Sequence, residues 1–140
     1  DFKWPAKCSQ KASGTIKATV VVDNSLIAAY NEGEEWLEEL KYYLLMNYNY
    51  LKAYFRENLP QFPVATLEGT YLVWVDCSIL KRSSVEIVQT LLDEEKLQVN
   101  EGSLYGKDGE GFIRINIACP RQVLIDGLNR LKRVLIGQIG

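Results

Sequence analysis

The run Gly111–Arg121 near the C-terminus constrains the fold most, because it alternates strictly and is then followed by a helical pattern. Successive side chains of a strand point to opposite faces. One face of this run is apolar, and the other mixes polar and aromatic side chains. The first set is Ile113, Ile115, Ile117 and Cys119, and the second is Phe112, Arg114, Asn116 and Ala118. The pattern predicts a strand with one buried face that leads into a helix beginning at Pro120.

Arg114 lies in the middle of this strand, on the face opposite the predicted core and beside a large aromatic residue. A planar guanidinium held in such a place is suited to bidentate binding of a carboxylate. The run alone favours a simpler interpretation, a surface arginine on a half-exposed strand. The rest of the chain has to decide between the two.

The other patterns predict an α+β fold: a small, mostly antiparallel sheet with helices packed on one face, preceded by a long connector helix. Apolar residues recur at helical spacing over residues 26–59, where Gly33 interrupts the pattern and Pro60 and Pro63 end it. A second helix is predicted from the capping-box sequence Ser83–Glu86 to about Lys96. The apolar faces predicted for the second and the last helix are Val85, Val88, Leu91 and Leu92, and Leu124, Leu128, Leu131 and Leu135.

Four further strands are predicted from β-branched and aromatic runs. Their bounds are Thr15–Val22, Val64–Leu67, Tyr71–Cys77 and Leu97–Asn100. The second and third of these would form a tight hairpin around Glu68-Gly69-Thr70. Residues 101–110 are interpreted as a flexible glycine-rich loop, because their spacing matches no phosphate-binding motif.

The composition is that of one ordinary globular domain, with 140 residues, 47% hydrophobic, 24% charged and a net charge of −2. No basic stripe with interleaved aromatic residues is present, so we expect no nucleic-acid partner. No apolar run reaches the ~18 residues of a membrane span, so we expect no membrane partner. Three widely spaced cysteines, Cys8, Cys77 and Cys119, predict neither a disulfide framework nor a zinc site. They fit reduced thiols in the cytoplasm, with Cys77 packed in the core.

The chain contains no histidine, which removes the commonest general base and most metal sites. We therefore expect no metal site. The acidic cluster of residues 32–39 is interpreted as a solvated helix face. Any chemistry has to use lysine, tyrosine, aspartate, glutamate or a cofactor.

Three segments together resemble one known family. They are Ala28–Leu40 (AAYNEGEEWLEEL), Leu67–Asp76 (LEGTYLVWVD) and the stretch from Val99-Asn100-Glu101-Gly102-Ser103 to the GFIRINIACPR run. In this order and spacing they resemble the C-terminal small domain of the fold-type I pyridoxal-phosphate enzymes. The branch they resemble is that of the C–S lyases of the cystathionine β-lyase kind, within the class I/II aminotransferases. The resemblance covers about residues 27–136.

The resemblance implies roles for three residues. Arg114 matches the arginine that clamps the α-carboxylate of the amino-acid substrate, and Tyr71 and Tyr105 would lie near the mouth of the active site. Residues 26–140 would be the small domain, whose helix 26–59 connects it to a large domain, and residues 1–25 a remnant of that large domain. Pyridoxal 5′-phosphate is the cofactor implied for the parent enzyme, where it serves as an electron sink.

The resemblance also shows what the chain lacks. The large domain of such enzymes supplies a Schiff-base lysine and an aspartate for the pyridine nitrogen, and neither is evident here. Residues 13–24 resemble the stretch after that lysine, which would put the lysine at or beside Cys8, one residue out of register with Lys7. We interpret Lys7 and Lys11 as surface lysines, and we expect the chain alone to contain no catalytic residue, bind no cofactor and turn over no substrate. It resembles an excised, re-spliced or truncated small domain.

Three functions stay open at this point. The first is the small domain of a C–S lyase that eliminates sulfur from amino acids such as cystathionine. The second is the small domain of an aminotransferase, since Arg114 serves both and only the Ala-Cys-Pro-Arg ending favours the lyase. The third is a non-catalytic interaction module, because a docking face without its large domain would favour a homo-oligomer, including a domain-swapped one. The partners expected are therefore an amino-acid substrate in the parent enzyme and a second copy of the chain.

Overall fold

The computed structural model of the protein describes residues 25–138. The predicted strand Thr15–Val22, together with Lys7 and Lys11, lies outside the described residues. The described residues belong to two units, which divide between Leu40 and Lys41. The predicted domain boundary near residue 25 stays a prediction.

The predicted connector helix 26–59 consists of two helices, which are divided at Gly33, where the sequence pattern is interrupted. Helix α1 covers residues 25–32, and helix α2 covers Glu34–Asn58. Gly33 still donates its amide hydrogen bond to the Ala29 carbonyl at 3.0 Å, but a Cβ at this position would overlap that carbonyl oxygen. Glycine is therefore required here by close approach of the backbone. Helix α2 ends at Asn58, just before Pro60.

Three strands form one antiparallel sheet: β1 (Leu72–Asp76), β2 (Asn100–Glu101) and β3 (Phe112–Asn116). Their order is β1-β3-β2, so the arginine strand is the central one. Ile113, Ile115 and Ile117 are buried, which confirms the predicted alternation of β3. The sheet and its helices are α+β in class, as predicted.

The helices bury their apolar side chains against the face of the sheet that carries Ile113 and Ile115. Helix α3 covers Ser84–Glu95 and helix α4 covers Arg121–Gly137. The core contributed by the helices comprises Tyr48, Leu51 and Phe55 of α2, Ile87 and Leu91 of α3, and Leu124, Leu128, Leu131, Val134 and Leu135 of α4. The predicted apolar stripe of the last helix is thus confirmed.

Several predicted details are wrong. Val64–Leu67 is not a strand: only Val64 forms an isolated antiparallel bridge, to Val75, so the tight hairpin is absent. The short strand is displaced from Leu97–Asn100 to Asn100–Glu101. Pro120 precedes the last helix as its N-cap residue, one position earlier than predicted. Residues 101–110 are not wholly irregular, since they include 3₁₀ turns at Gly102–Tyr105 and Lys107–Gly109.

Helix α3 begins with the predicted capping box. The Ser83 side chain accepts a hydrogen bond from the Glu86 amide at 3.2 Å, and the Glu86 carboxylate accepts one from the Ser83 amide at 2.9 Å. The buried face, however, is rotated from the predicted one. Val85 is 50% exposed and Leu92 is 38% exposed.

Helices α3 and α4 are joined by an ion pair whose effect on stability should depend on pH. The Arg133 Nε donates to a Glu95 carboxylate oxygen at 2.6 Å, and this hydrogen bond is the main reason that the pKa of Glu95 lies below its usual value. A lowered pKa in the folded state means stabilisation that is present above the unfolded pKa of about 4.3 and lost as the pH falls through the folded value. We expect the Arg133→Gln variant to be less stable than the unmodified chain near neutral pH, and equally stable in acid, where Glu95 is protonated in both proteins.

Urea unfolding at neutral and acidic pH checks this expectation. The difference in free energy of unfolding between the two proteins should shrink as the pH falls below the ordinary glutamate range. Arg56→Gln is the control, because Arg56 and Glu57 lie 4.0 Å apart on an exposed surface and should contribute little at any pH. A difference between Arg133→Gln and the unmodified chain that is independent of pH would contradict the expectation.

Candidate carboxylate-binding site

Arg114 lies at the centre of a row of side chains that crosses all three strands. It is the register partner of Trp74 in β1 and of Asn100 in β2. Directly opposed residues in antiparallel strands have their side chains on the same face. Trp74, Arg114 and Asn100, which we call the arginine row, therefore share the face of the sheet opposite the core.

Tyr105 lies over this row and contacts all three of its members. The Arg114 Cζ is 4.1 Å from the centroid of the tyrosine ring. The Trp74 ring meets the same ring at 5.4 Å, with planes inclined by 86°. The Tyr105 hydroxyl accepts a hydrogen bond from the Asn100 Nδ2 at 2.9 Å. A cation–π contact of this kind contributes roughly 0.5–2 kcal/mol and holds the guanidinium in one orientation.

Arg114 has hydrogen-bonding capacity that the described residues do not use. Its Nε is buried and has no hydrogen-bond partner in this part of the chain. No carboxylate within residues 25–138 forms an ion pair with it. A buried donor left unsatisfied costs about 1–3 kcal/mol, and an anion bound there would remove that cost. Since Tyr105 covers one face of the guanidinium, the N–H groups in its plane are the route for such an anion.

Two cavities adjoin the arginine row. The first, of about 320 Å³, is lined by Arg114, Asn100 and Asn116 together with apolar residues of α4 and of segment 97–99. The second, of about 350 Å³, is lined by Trp74, Tyr105, Phe112, Ala65, Asp108 and Gly109. Both volumes lie at the lower end of the range for small-molecule sites. An amino acid whose carboxylate reached Arg114 would thus have space for its remaining atoms.

These residues do not form a Schiff-base site by themselves. No lysine lines either of the two cavities. The part of the chain that the structure describes contains no group of three histidine, cysteine, aspartate or glutamate residues that could hold a metal ion. What it offers is a cationic, partly desolvated group with an aromatic wall, which is suited to binding and orienting an anion.

The two cysteines that the structure describes, Cys77 and Cys119, are poorly suited to act as nucleophiles. Burial raises the pKa of Cys77 to about 12, with a smaller contribution from the charge of Asp76. Cys77 lies in the core, as predicted. Burial also raises the pKa of Cys119, which lines the first cavity. Both thiols are therefore protonated at neutral pH, and the thiolate is the reactive form.

The structure brings Tyr105 to Arg114 but does not bring Tyr71 there. Tyr71 is exposed and lies just before β1, three positions from Trp74, and its carbonyl accepts a hydrogen bond from the Ile117 amide. Its place near an active-site mouth stays a prediction.

The sequence did not indicate Trp74 and Asn100 as residues of the candidate site. The alternation of Val73 and Val75 was a usable signal for Trp74, whereas the pairing of Asn100 with Arg114 depends on a register that no local pattern reveals.

The chain is similar to known lyases over most of its length, including the strand that carries Arg114. The chain is 35% identical over 133 residues to the cystathionine β-lyase PatB of Bacillus subtilis, which covers 95% of the chain and 34% of PatB. The C–S lyase of Staphylococcus hominis, solved with pyridoxal phosphate bound, is 34% identical with a TM-score of 0.74, over 81% of the chain and 30% of the lyase. This chain belongs to the fold-type I pyridoxal-phosphate enzymes, in their cystathionine β-lyase branch.

Aminotransferases of the same fold type are also among the relatives. The aspartate aminotransferase of Pyrococcus horikoshii is 30% identical over 82 residues, which is 59% of this chain and 21% of that enzyme. No protein-family model matches the chain. The chain spans about a third of the length of the curated relatives that it matches. Pyridoxal phosphate is the cofactor of the solved lyase, in agreement with the cofactor that the resemblance implied for the parent enzyme.

No helix within residues 25–138 is both long and apolar enough to cross a membrane.

Proposed function

We propose that residues 26–140 are the small domain of a pyridoxal-phosphate-dependent C–S lyase and that Arg114 binds the α-carboxylate of its amino-acid substrate. The observation that carries this proposal is the Arg114 guanidinium beneath the Tyr105 ring, whose buried Nε has no hydrogen-bond partner among residues 25–138. The similarity to PatB and to the Staphylococcus hominis lyase supports the reaction class. Residues 1–25 would then be a remnant of the large domain.

In this role Arg114 positions the substrate. Two parallel N–H groups of a guanidinium fix both the distance and the plane of a carboxylate. Fixing the substrate in a reactive geometry lowers the barrier by several kcal/mol in favourable cases. Tyr105 keeps the guanidinium from turning, and the first cavity, which Arg114 lines, leaves space for the substrate's side chain. The cofactor's electron sink and the lysine base would come from the rest of the parent enzyme.

An aminotransferase parent is the second candidate. The similarity to the Pyrococcus horikoshii aspartate aminotransferase favours it, and its substrates carry the same α-carboxylate. Arg114 would act identically in both. Assays of the parent enzyme for thiol release and for amino-group transfer separate the two, because a lyase releases a thiol without consuming a keto-acid acceptor.

A homo-oligomer of the chain, as a non-catalytic interaction module in the cytoplasm, is the third candidate. Helix α2 exposes several large apolar side chains in its central part: Tyr42, Leu45 and Met46 are 66%, 53% and 43% exposed. Contiguous exposed apolar groups of this kind favour association. Sedimentation at two concentrations tests it, and a chain that stays monomeric at both would contradict it.

Carboxylate binding by the full chain tests the leading proposal directly. We expect glycine and acetate to shift the Arg114 side-chain NMR resonances in a saturable way, because both present a carboxylate to the unpartnered Nε. Methylamine is the matched control, since it resembles glycine without the carboxylate and should leave these resonances unchanged. Shifts of equal size with methylamine, or none with either carboxylate, would contradict the proposed site.

A further inference from the structure

The loop that carries Tyr105 is closed at its base by two glycines. Gly102 and Gly109 approach so closely that a Cβ on either would overlap the carbonyl oxygen of the other. Neither position can accept a side chain unless the backbone moves. The loop between them bears Tyr105, so the two ends of this loop lie in backbone contact at these glycines.

Ser84 ties this base to the start of helix α3. Its side chain is fully buried, and its Oγ accepts a hydrogen bond from the Gly111 amide at 2.8 Å. The same hydroxyl lies 3.3 Å from the Gly109 carbonyl oxygen and from Glu110 Oε1, the two acceptors for its proton. The Ser84 amide donates to Glu110 Oε1 at 2.7 Å. One buried serine therefore bonds to three consecutive residues at the end of the Tyr105 loop.

These bonds are separate from the capping of the helix. Ser83 and Glu86 form the capping box by themselves, and neither contributes a hydrogen bond to the loop. Removing the Ser84 hydroxyl should therefore release the loop base while the helix keeps its cap. Because Ser83 caps the helix and Ser84 bonds to the loop, alanine substitutions of the two serines form a matched pair of variants.

We propose that Ser84 is a positioning residue that sets the carboxylate affinity of Arg114 by holding Tyr105 over the guanidinium. The inference rests on the proposed function of Arg114. With the loop base fixed, the ring is in place before a ligand arrives, and the arginine loses little freedom on binding. With the base released, the arginine has to be ordered at the moment of binding, which weakens affinity by about three- to tenfold.

The test compares Ser84→Ala with Ser83→Ala in the full chain by two measurements. The first is the ring-current shift of the Arg114 side-chain protons, for which a Tyr105→Leu variant defines zero. The second is the dissociation constant for acetate. We expect Ser84→Ala to lose most of the ring-current shift and to bind acetate about three- to tenfold more weakly. Ser83→Ala should lower the unfolding temperature and change neither quantity.

Other outcomes overturn the inference. A Ser84→Ala variant that keeps both the ring-current shift and the acetate affinity shows that Ser84 does not position Tyr105. Equal changes in the two serine variants would show that general loosening of helix α3, and not the loop anchor, affects the site. If the unmodified chain binds no acetate, the proposed function of Arg114 fails, and the link to affinity fails with it. The ring-current comparison then still shows whether Ser84 positions the ring.

Discussion

Replacing Arg114 with lysine is expected to weaken the binding of acetate or glycine by about ten- to a hundredfold, although the positive charge is kept. A hydrogen bond to a charged group contributes about 1.5–3 kcal/mol, and each 1.4 kcal/mol is a factor of ten in affinity. Lysine carries a point charge and cannot present two parallel N–H groups to a carboxylate. Arg114→Ala should abolish binding. Titration followed by NMR or calorimetry gives both dissociation constants.

Arg121→Lys is the matched control for this substitution. Arg121 also lies over a tyrosine ring, with its Cζ 4.9 Å from the Tyr50 centroid, but it is not part of the arginine row. Its replacement should leave carboxylate affinity unchanged. Equal losses in the two lysine variants would mean that the chain binds anions through its overall charge, and that the geometry at Arg114 contributes nothing specific.

The central strand was predictable because its signal is local. The alternation of β3 is visible in consecutive residues. The burial of Ile113 and the outward placement of Arg114 both follow from the two-residue period of side chains in a strand. Prediction failed where a partner distant in sequence determines the structure. Segment 64–67 has the composition of a strand, yet the Tyr48 hydroxyl of helix α2 donates to the Ala65 carbonyl and accepts from the Leu67 amide. A single side chain thus satisfies backbone groups that a second strand would otherwise bond.

The face of helix α3 was mispredicted for a related reason. Its buried residues Ser84, Ile87 and Leu91 follow helical spacing, but the first of them is polar and would not be counted as core in a sequence pattern. Ser84 is buried because the Tyr105 loop supplies its hydrogen bonds, and this rotates Val85 outward. The candidate site shows the same division. The outward placement of Arg114 was evident from its own strand, although its role came only from the resemblance to a known family, whereas Asn100 joins it only through the register of β2 with β3.

Asn47 holds helix α2 to the segment that follows the arginine strand. Its side chain is fully buried. Its Nδ2 donates to the Ile117 carbonyl at 2.8 Å and to the Cys119 carbonyl at 3.0 Å. Its Oδ1 is buried without a partner among residues 25–138. The contribution of the amide therefore comes from its two donated hydrogen bonds, which join elements about seventy residues apart in the sequence.

Replacing Asn47 with aspartate is expected to lower the free energy of unfolding by about 3–5 kcal/mol near neutral pH. The carboxylate would face two carbonyl oxygens with no proton to donate, and it would be buried without a counter-charge. Such a group has a raised pKa in the folded state. Its destabilising effect should therefore grow as the pH rises from the unfolded pKa of about 3.9 towards the folded value. In acid the protonated form can restore one of the two bonds.

Asn49→Asp makes the same chemical change two residues along the same helix, at an exposed position. Urea unfolding of both variants across the acidic and neutral range isolates the contribution of burial. The Asn49 variant should stay within about 0.5 kcal/mol of the unmodified chain at every pH. A similarly small loss for Asn47→Asp, or one that does not change with pH, would mean that the amide is not needed to attach α2 to the end of the arginine strand. The helix would then rest on its apolar contacts alone, with Leu51 and Phe55 as the side chains to test next.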